Sequence, residues 1–143
     1  MIIIKYIHNY MLILSHQVTK MQDVKKLKVY QVSSELSIDI CNAIKNSRQF
    51  RLKEQIMASS TSIPSNLGEF AGMNKISQQA EKLRTVVREA NETEERLKVF
   101  HKIGELSDEQ YNDYTERIIY VRKMLINLLK AVESQEPKIK EGK

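Results

Sequence analysis

Between Ile103 and Val132 the sequence reads IGELSDEQYNDYTERIIYVRKMLINLLKAV, and this stretch decides the fold. Tyr111, Tyr114, Ile118, Val121, Leu125, Leu128 and Val132 recur at unbroken steps of three and four, which places them on one side of an α-helix. Its start is marked. Gly104 stops whatever precedes it, Ser107 with Gln110 forms a capping box, and Leu106 with Tyr111 is spaced as a hydrophobic staple. Ile119, Ile126 and Leu129 form a second apolar row beside the first. A face this wide fits either a deeply seated helix or contact with another subunit, so these three residues are the candidate oligomer interface.

Three further segments repeat the pattern upstream. From Asp23 to about Asn46, Val29, Val32, Leu36, Ile40 and Ile44 share a side, with Ser33, Ser34 and Ser37 small enough to admit a neighbouring helix closely. From about Arg51 to Ala71 the seam is Leu52, Ile56, Ser59, Ile63, Leu67 and Phe70. Pro64 falls inside it, removing one backbone donor and pressing on the Ser60 carbonyl, so this helix is expected to kink, with hydroxyls of residues 59–62 answering the freed carbonyls. Gly68 and Gly72 are spaced for tight packing near its end, and Gly72-Met73-Asn74 reads as a turn. From Ser77 to about Ile103 the expected seam is Ala80, Leu83, Val87, Ala90, Glu94, Leu97 and His101, flanked by Val86 and Phe100. Glu94 and His101 interrupt it and are expected at its edge or hydrogen-bonded to another helix.

Connections of a few residues make neighbouring helices antiparallel, so the expected fold is all-α, an up-down-up-down four-helix bundle over residues 21–134. Residues 1–20 contain no acid and no clear helical face. Lys5, His8, Asn9, His16 and Gln17 interrupt the apolar run needed for a membrane span, and no small-residue cleavage site follows. With Met21 available as a start, this segment reads as translated upstream sequence or a loose extension, the alternative being an additional packed element. Residues 135–143 read as a polar, disordered tail.

Composition excludes more than it assigns. The single Cys41 forms no internal disulfide and sits on an apolar face between Ile40 and Ile44, which suits a small core residue in a reducing, cytoplasmic setting. None of the three histidines has a glutamate three residues before it, as a di-iron bundle requires. Neither the phosphate-binding Gly-x4-Gly-Lys-Ser/Thr pattern nor a Gly-x-Ser-x-Gly elbow occurs. Glu81, Glu89, Glu92, Glu94 and Glu95 alternate with Lys82, Arg84, Arg88, Arg96 and Lys98, the pattern of a solvated, ion-paired face. No enzyme, metal site, cofactor or small-molecule substrate is expected.

The net charge is +5, or +3 once Lys5 and Lys20 are set aside, which by itself is an ordinary surface. Its distribution is more informative. Lys25, Lys26 and Lys28 form one cluster and Lys45, Arg48, Arg51 and Lys53 another, at opposite ends of an up-down bundle. These seven residues are the candidate nucleic-acid contacts, and a ring of subunits would repeat each cluster around an axis. Phe50 lies in the second cluster, positioned to stack on a base, although core packing is its expected fate. A protein-binding adaptor without affinity for RNA or DNA is the competing reading.

From Met21 to about Ser134 the chain resembles the four-helix-bundle proteins encoded in intervening sequences of bacterial 23S rRNA genes. The resemblance rests on Leu27-Lys28-Val29-Tyr30, on Gln55 with Ser62-Ile63-Pro64-Ser65-Asn66-Leu67 and Glu69, on Ile103-Gly104-Glu105-Leu106-Ser107, and on Lys123-Met124-Leu125. Met57-Ala58 replaces a basic pair common in the family, Phe70 replaces a glycine, and Met73 stands where a basic residue is common. A nucleic-acid surface built on those positions is therefore not carried over. The resemblance implies a bacterial cytoplasmic bundle that assembles as a ring, a pentamer, similar to the accessory protein partnering reverse transcriptase in diversity-generating retroelements.

Overall fold

The computed structural model describes residues 2–5, 8 and 23–136. Most of the expected N-terminal extension and of the polar tail lies outside them; within the first segment, Ile2, Ile3 and Ile4 are helical and exposed. Four long helices follow: α1 (Lys28–Ile44), α2 (Phe50–Ala71), α3 (Ile76–Lys102) and α4 (Asp108–Glu133). A 3-10 turn, Val24–Lys26, precedes α1. No strand occurs among the described residues. Each helix packs on its sequence neighbours, and α1 closes the square against α4. Cross-helix pairs run in opposite senses: Thr93 with Ser59 and Lys82 with Glu69 between α3 and α2, Arg84 with Glu133 and Arg122 with Asn91 between α3 and α4. The architecture is the antiparallel four-helix bundle expected from the periodicity.

The core holds Leu36, Ile40 and Ile44 of α1, Ile56, Ile63, Leu67 and Phe70 of α2, Leu83, Val86, Leu97 and Phe100 of α3, and Ile118, Val121 and Leu125 of α4. The α3 seam differs from the expected one by one residue over part of its length. Val86, Thr93 and Phe100 are buried, whereas Val87, Glu94 and His101 are only half-buried. Phe100 offers more apolar area than His101. Thr93 Oγ1 lies 3.0 Å from Ser59 Oγ of α2 and 2.8 Å from its own helix's Glu89 carbonyl, so it enters the core with its hydroxyl satisfied. Glu94 at the edge pairs with Arg122, and His101 Nε2 sits 2.6 Å from Asp108 Oδ1, as expected for polar interruptions.

Helix α2 runs unbroken through Pro64, so the proline does not divide it into two helices. The hydroxyl expectation is corrected. Thr61 donates to the Met57 carbonyl at 2.6 Å and Ser62 to that of Ser59 at 2.9 Å, while Ser59 and Ser60 reach the carbonyls of Ile56 and Met57. Each hydroxyl bonds back within its own turn, so among the described residues none serves the Ser60 carbonyl that Pro64 leaves without a donor. Tight packing at the glycines is also absent, since a Cβ at Gly68 would meet nothing within 4 Å and one at Gly72 only the Glu69 carbonyl at 3.6 Å.

The start of α1 lies later than the expected Asp23. Asp23 caps the 3-10 turn by accepting from the Lys25 amide at 3.1 Å, and extended Leu27 separates that turn from the helix. At the other marked boundary the expectation holds in detail. Gly104 takes the left-handed conformation (φ 82°), its amide donates to the His101 carbonyl and that of Glu105 to Phe100, both at 3.0 Å, the two bonds of a Schellman ending. Ser107 and Gln110 exchange both bonds of the capping box at 3.1 and 3.0 Å. Burial pushes the Cys41 thiol up, with Ser60 offsetting this in part, so Cys41 stays a protonated packing residue.

Candidate nucleic-acid interface

The turn from α1 to α2 is held by its own polar groups. Ser47 Oγ accepts from the Gln49 amide at 3.1 Å and donates to Glu105 Oε2 at 2.7 Å, tying this connection to the α3–α4 corner at the same end of the bundle. Lys53 reaches back from the first turn of α2, its ammonium donating to the carbonyls of Lys45 at 3.1 Å and Ser47 at 3.3 Å. These carbonyls close the C-terminus of α1, where a cation is favoured. Lys53 is thus committed to the fold, and of the four residues expected in this cluster three remain free. Lys45, Arg48 and Arg51 are exposed and make no ion pair among the described residues.

Phe50, expected in the core, is 66% exposed. It is the first residue of α2, and the Lys53 ammonium stands 5.0 Å from its ring centroid, within cation–π range. The signal was present in the periodicity: Phe50 is two residues before the seam residue Leu52, about 200° round the helix from it. Ile103, also exposed, and Lys102 end α3 at this level. The register set by Arg96 donating to the Gln55 carbonyl at 2.9 Å and by Thr93 with Ser59 puts Phe50 opposite the last turn of α3. There His101 stacks on Tyr111 of α4, with ring centroids 4.3 Å apart and planes 3° from parallel. The exposed end is therefore a fixed surface built on a braced corner.

Lys25, Lys26 and Lys28 lie at the opposite end. All three are exposed, the first two on the 3-10 turn and the third opening α1. Charge alone gathers there: no large apolar side chain in this turn is exposed, and Val24 and Leu27 pack against the core. The other candidate surface lies along α4. Ile119 and Leu129 are half-buried against the core, so part of the wide apolar row is used within the subunit, while Ile126 is 37% exposed and Tyr120 51%. A depression of about 480 Å³ runs beside them, lined by Asn112, Thr115, Glu116, Ile119, Tyr120 and Lys123, all from this one helix. It lacks the enclosing walls of a small-molecule site.

Among the described residues no three His, Cys, Asp or Glu side chains gather as a metal site, and no helix is long and apolar enough to cross a membrane. The fold and this surface define a helical-bundle protein with a basic, aromatic-bearing end. The chain belongs to the family of 23S rRNA-intervening sequence proteins, whose family model matches residues 25–127. It is similar to a crystal structure described as a protein of unknown function from the S23 ribosomal protein family of Bacteroides thetaiotaomicron. The two share 28% identity with a TM-score of 0.67, over 71% of this chain and 95% of that one. No curated protein matches.

Proposed function

We propose that this protein is a non-enzymatic, self-assembling cytoplasmic module that holds RNA or DNA at the end of the bundle formed by the α1–α2 connection. One observation carries the reading. Lys45, Arg48 and Arg51 stand exposed and, among the described residues, without carboxylate partners around a turn whose shape is fixed by Ser47 and Lys53. Three unneutralised cations on a braced surface are suited to consecutive phosphates, and no ion pair must break for them to engage. Assembly multiplies the effect, because copies around an axis place several such surfaces on one face. The exposed Tyr120 and Ile126 beside Ile119 and Leu129 support α4 as the self-association surface, and family resemblance supports a pentamer.

Sedimentation velocity of the full chain with labelled RNA, repeated at several salt concentrations, tests both parts. The expected mass is a multiple of 16.7 kDa. For three phosphate contacts per subunit, the logarithm of the binding constant is expected to fall with log salt at a slope of about −2, or about 20-fold between 50 and 200 mM. Absence of binding at 50 mM overturns the nucleic-acid reading in favour of a protein adaptor. A single-subunit mass overturns assembly.

A further inference from the structure

A large aromatic ring stands in water at the centre of a cation cluster, outside the core of the bundle. Phe50 contributes nothing to the bundle core, and its neighbour Leu52 already occupies the seam position. Its surroundings nevertheless give it a cationic neighbour. The Lys53 ammonium, held by the Lys45 and Ser47 carbonyls, stands 5.0 Å from the ring centroid, and the residue keeps 66% of its surface exposed. Arg51 follows directly, Arg48 precedes by two residues, and Lys45 ends α1 across the turn. A largely exposed aromatic ring flanked by exposed cations matches one kind of ligand: a polyanion that also offers flat apolar faces.

We propose that the ligand is a single-stranded polynucleotide, one of whose unpaired bases stacks on the open face of Phe50 while Lys45, Arg48 and Arg51 contact the flanking phosphates. This rests on the nucleic-acid reading above and narrows it. Inside a duplex each base face is covered by its neighbours and only the last pair of a blunt end is open, so a protruding phenyl ring gains little unless the helix is opened. In a single strand or loop every base has a face to give, whatever its identity. Among the described residues the Lys25, Lys26 and Lys28 turn has charge but no exposed aromatic ring, so it supplies no comparable preference.

Fluorescence anisotropy on the full chain with four probes of one length separates the possibilities: single-stranded RNA, single-stranded DNA and the two corresponding blunt duplexes. Single strands are expected to bind about tenfold or more tightly than duplexes, with Phe50→Ala weakening single-strand binding about 5- to 150-fold. Because no charge is removed, the salt slope is expected to stay as in the unmodified protein, and Phe50→Trp retains affinity. The ring is exposed, so circular dichroism should show all three proteins folded. Comparing the two single strands shows whether the 2′-hydroxyl adds to binding, and either strand obeying this pattern supports the platform. Duplexes bound as tightly as single strands, or an unchanged Phe50→Ala, overturn it while leaving phosphate binding intact. Binding to none of the four probes removes the parent reading as well.

Discussion

Reversing three charges together, Lys45→Glu with Arg48→Glu and Arg51→Glu, is expected to lower RNA affinity about 100-fold or more at 0.1 M salt. Three phosphate contacts on a single strand correspond to a salt exponent near 2, and removing that contribution at 0.1 M costs about two powers of ten. Repulsion from the new carboxylates adds to the loss. The fold should tolerate the change, because all three side chains are exposed and outside the ion pairs of the bundle. A carboxylate at position 51 in the first turn of α2 is favoured by the helix dipole, and one at position 45 is disfavoured by about 0.3–1 kcal/mol. Equilibrium binding at fixed salt, with thermal melts of both proteins, checks the expectation. A matching reversal of Lys25, Lys26 and Lys28 is the control that locates the effect.

Phe100→Ala is expected to destabilise the bundle by about 3–5 kcal/mol, a large share of the 5–15 kcal/mol typical of a domain. Phe100 is one of the two largest fully buried side chains among the described residues, the other being Phe70. It also sits where the bundle can least adjust. Its carbonyl accepts the Glu105 amide that ends α3, and the braced corner beyond joins Glu105 to Ser47. A cavity below this corner cannot collapse without disturbing those bonds, which places the expected loss in the upper part of the range. Urea denaturation followed by circular dichroism measures it, with a shifted midpoint and an unchanged slope expected for a two-state loss.

What was legible in the sequence was the architecture. Apolar residues at steps of three and four, one capping box and one terminal glycine are local signals, and the four helices and the Gly104–Ser107 boundary follow from them alone. Ambiguity entered where two neighbouring residues could both serve the seam. Val86 or Val87, and Phe100 or His101, satisfy similar spacing, and the outcome depended on which side of α3 faces Ser59 of α2. That is a property of the packed pair, invisible in either helix singly. At the N-terminus the first helical segment was expected to begin at Asp23. It caps a short 3-10 turn, since Leu27 turns extended and joins the core.

The candidate site was half legible. Charges can be counted in a sequence, so both basic clusters were visible, and the topology placed them at opposite ends. Commitment of a charge to the backbone cannot be counted. Lys53 is bound to the Lys45 and Ser47 carbonyls only because residues 45–49 turn as they do, and its withdrawal leaves three free cations instead of four. Phe50 was misjudged for the opposite reason. Its hydrophobicity suggested burial, while its angular position, away from Leu52 and Ile56, had already placed it outside the core.

The most direct test of where nucleic acid is held is photo-crosslinking of the full-length protein to a single strand carrying a photoreactive base, followed by peptide mass spectrometry. Adducts are expected within residues 45–53, centred on Phe50, and at the adjoining end of α3. Adducts confined to Lys25, Lys26 and Lys28, or to the outer face of α4, would contradict this placement.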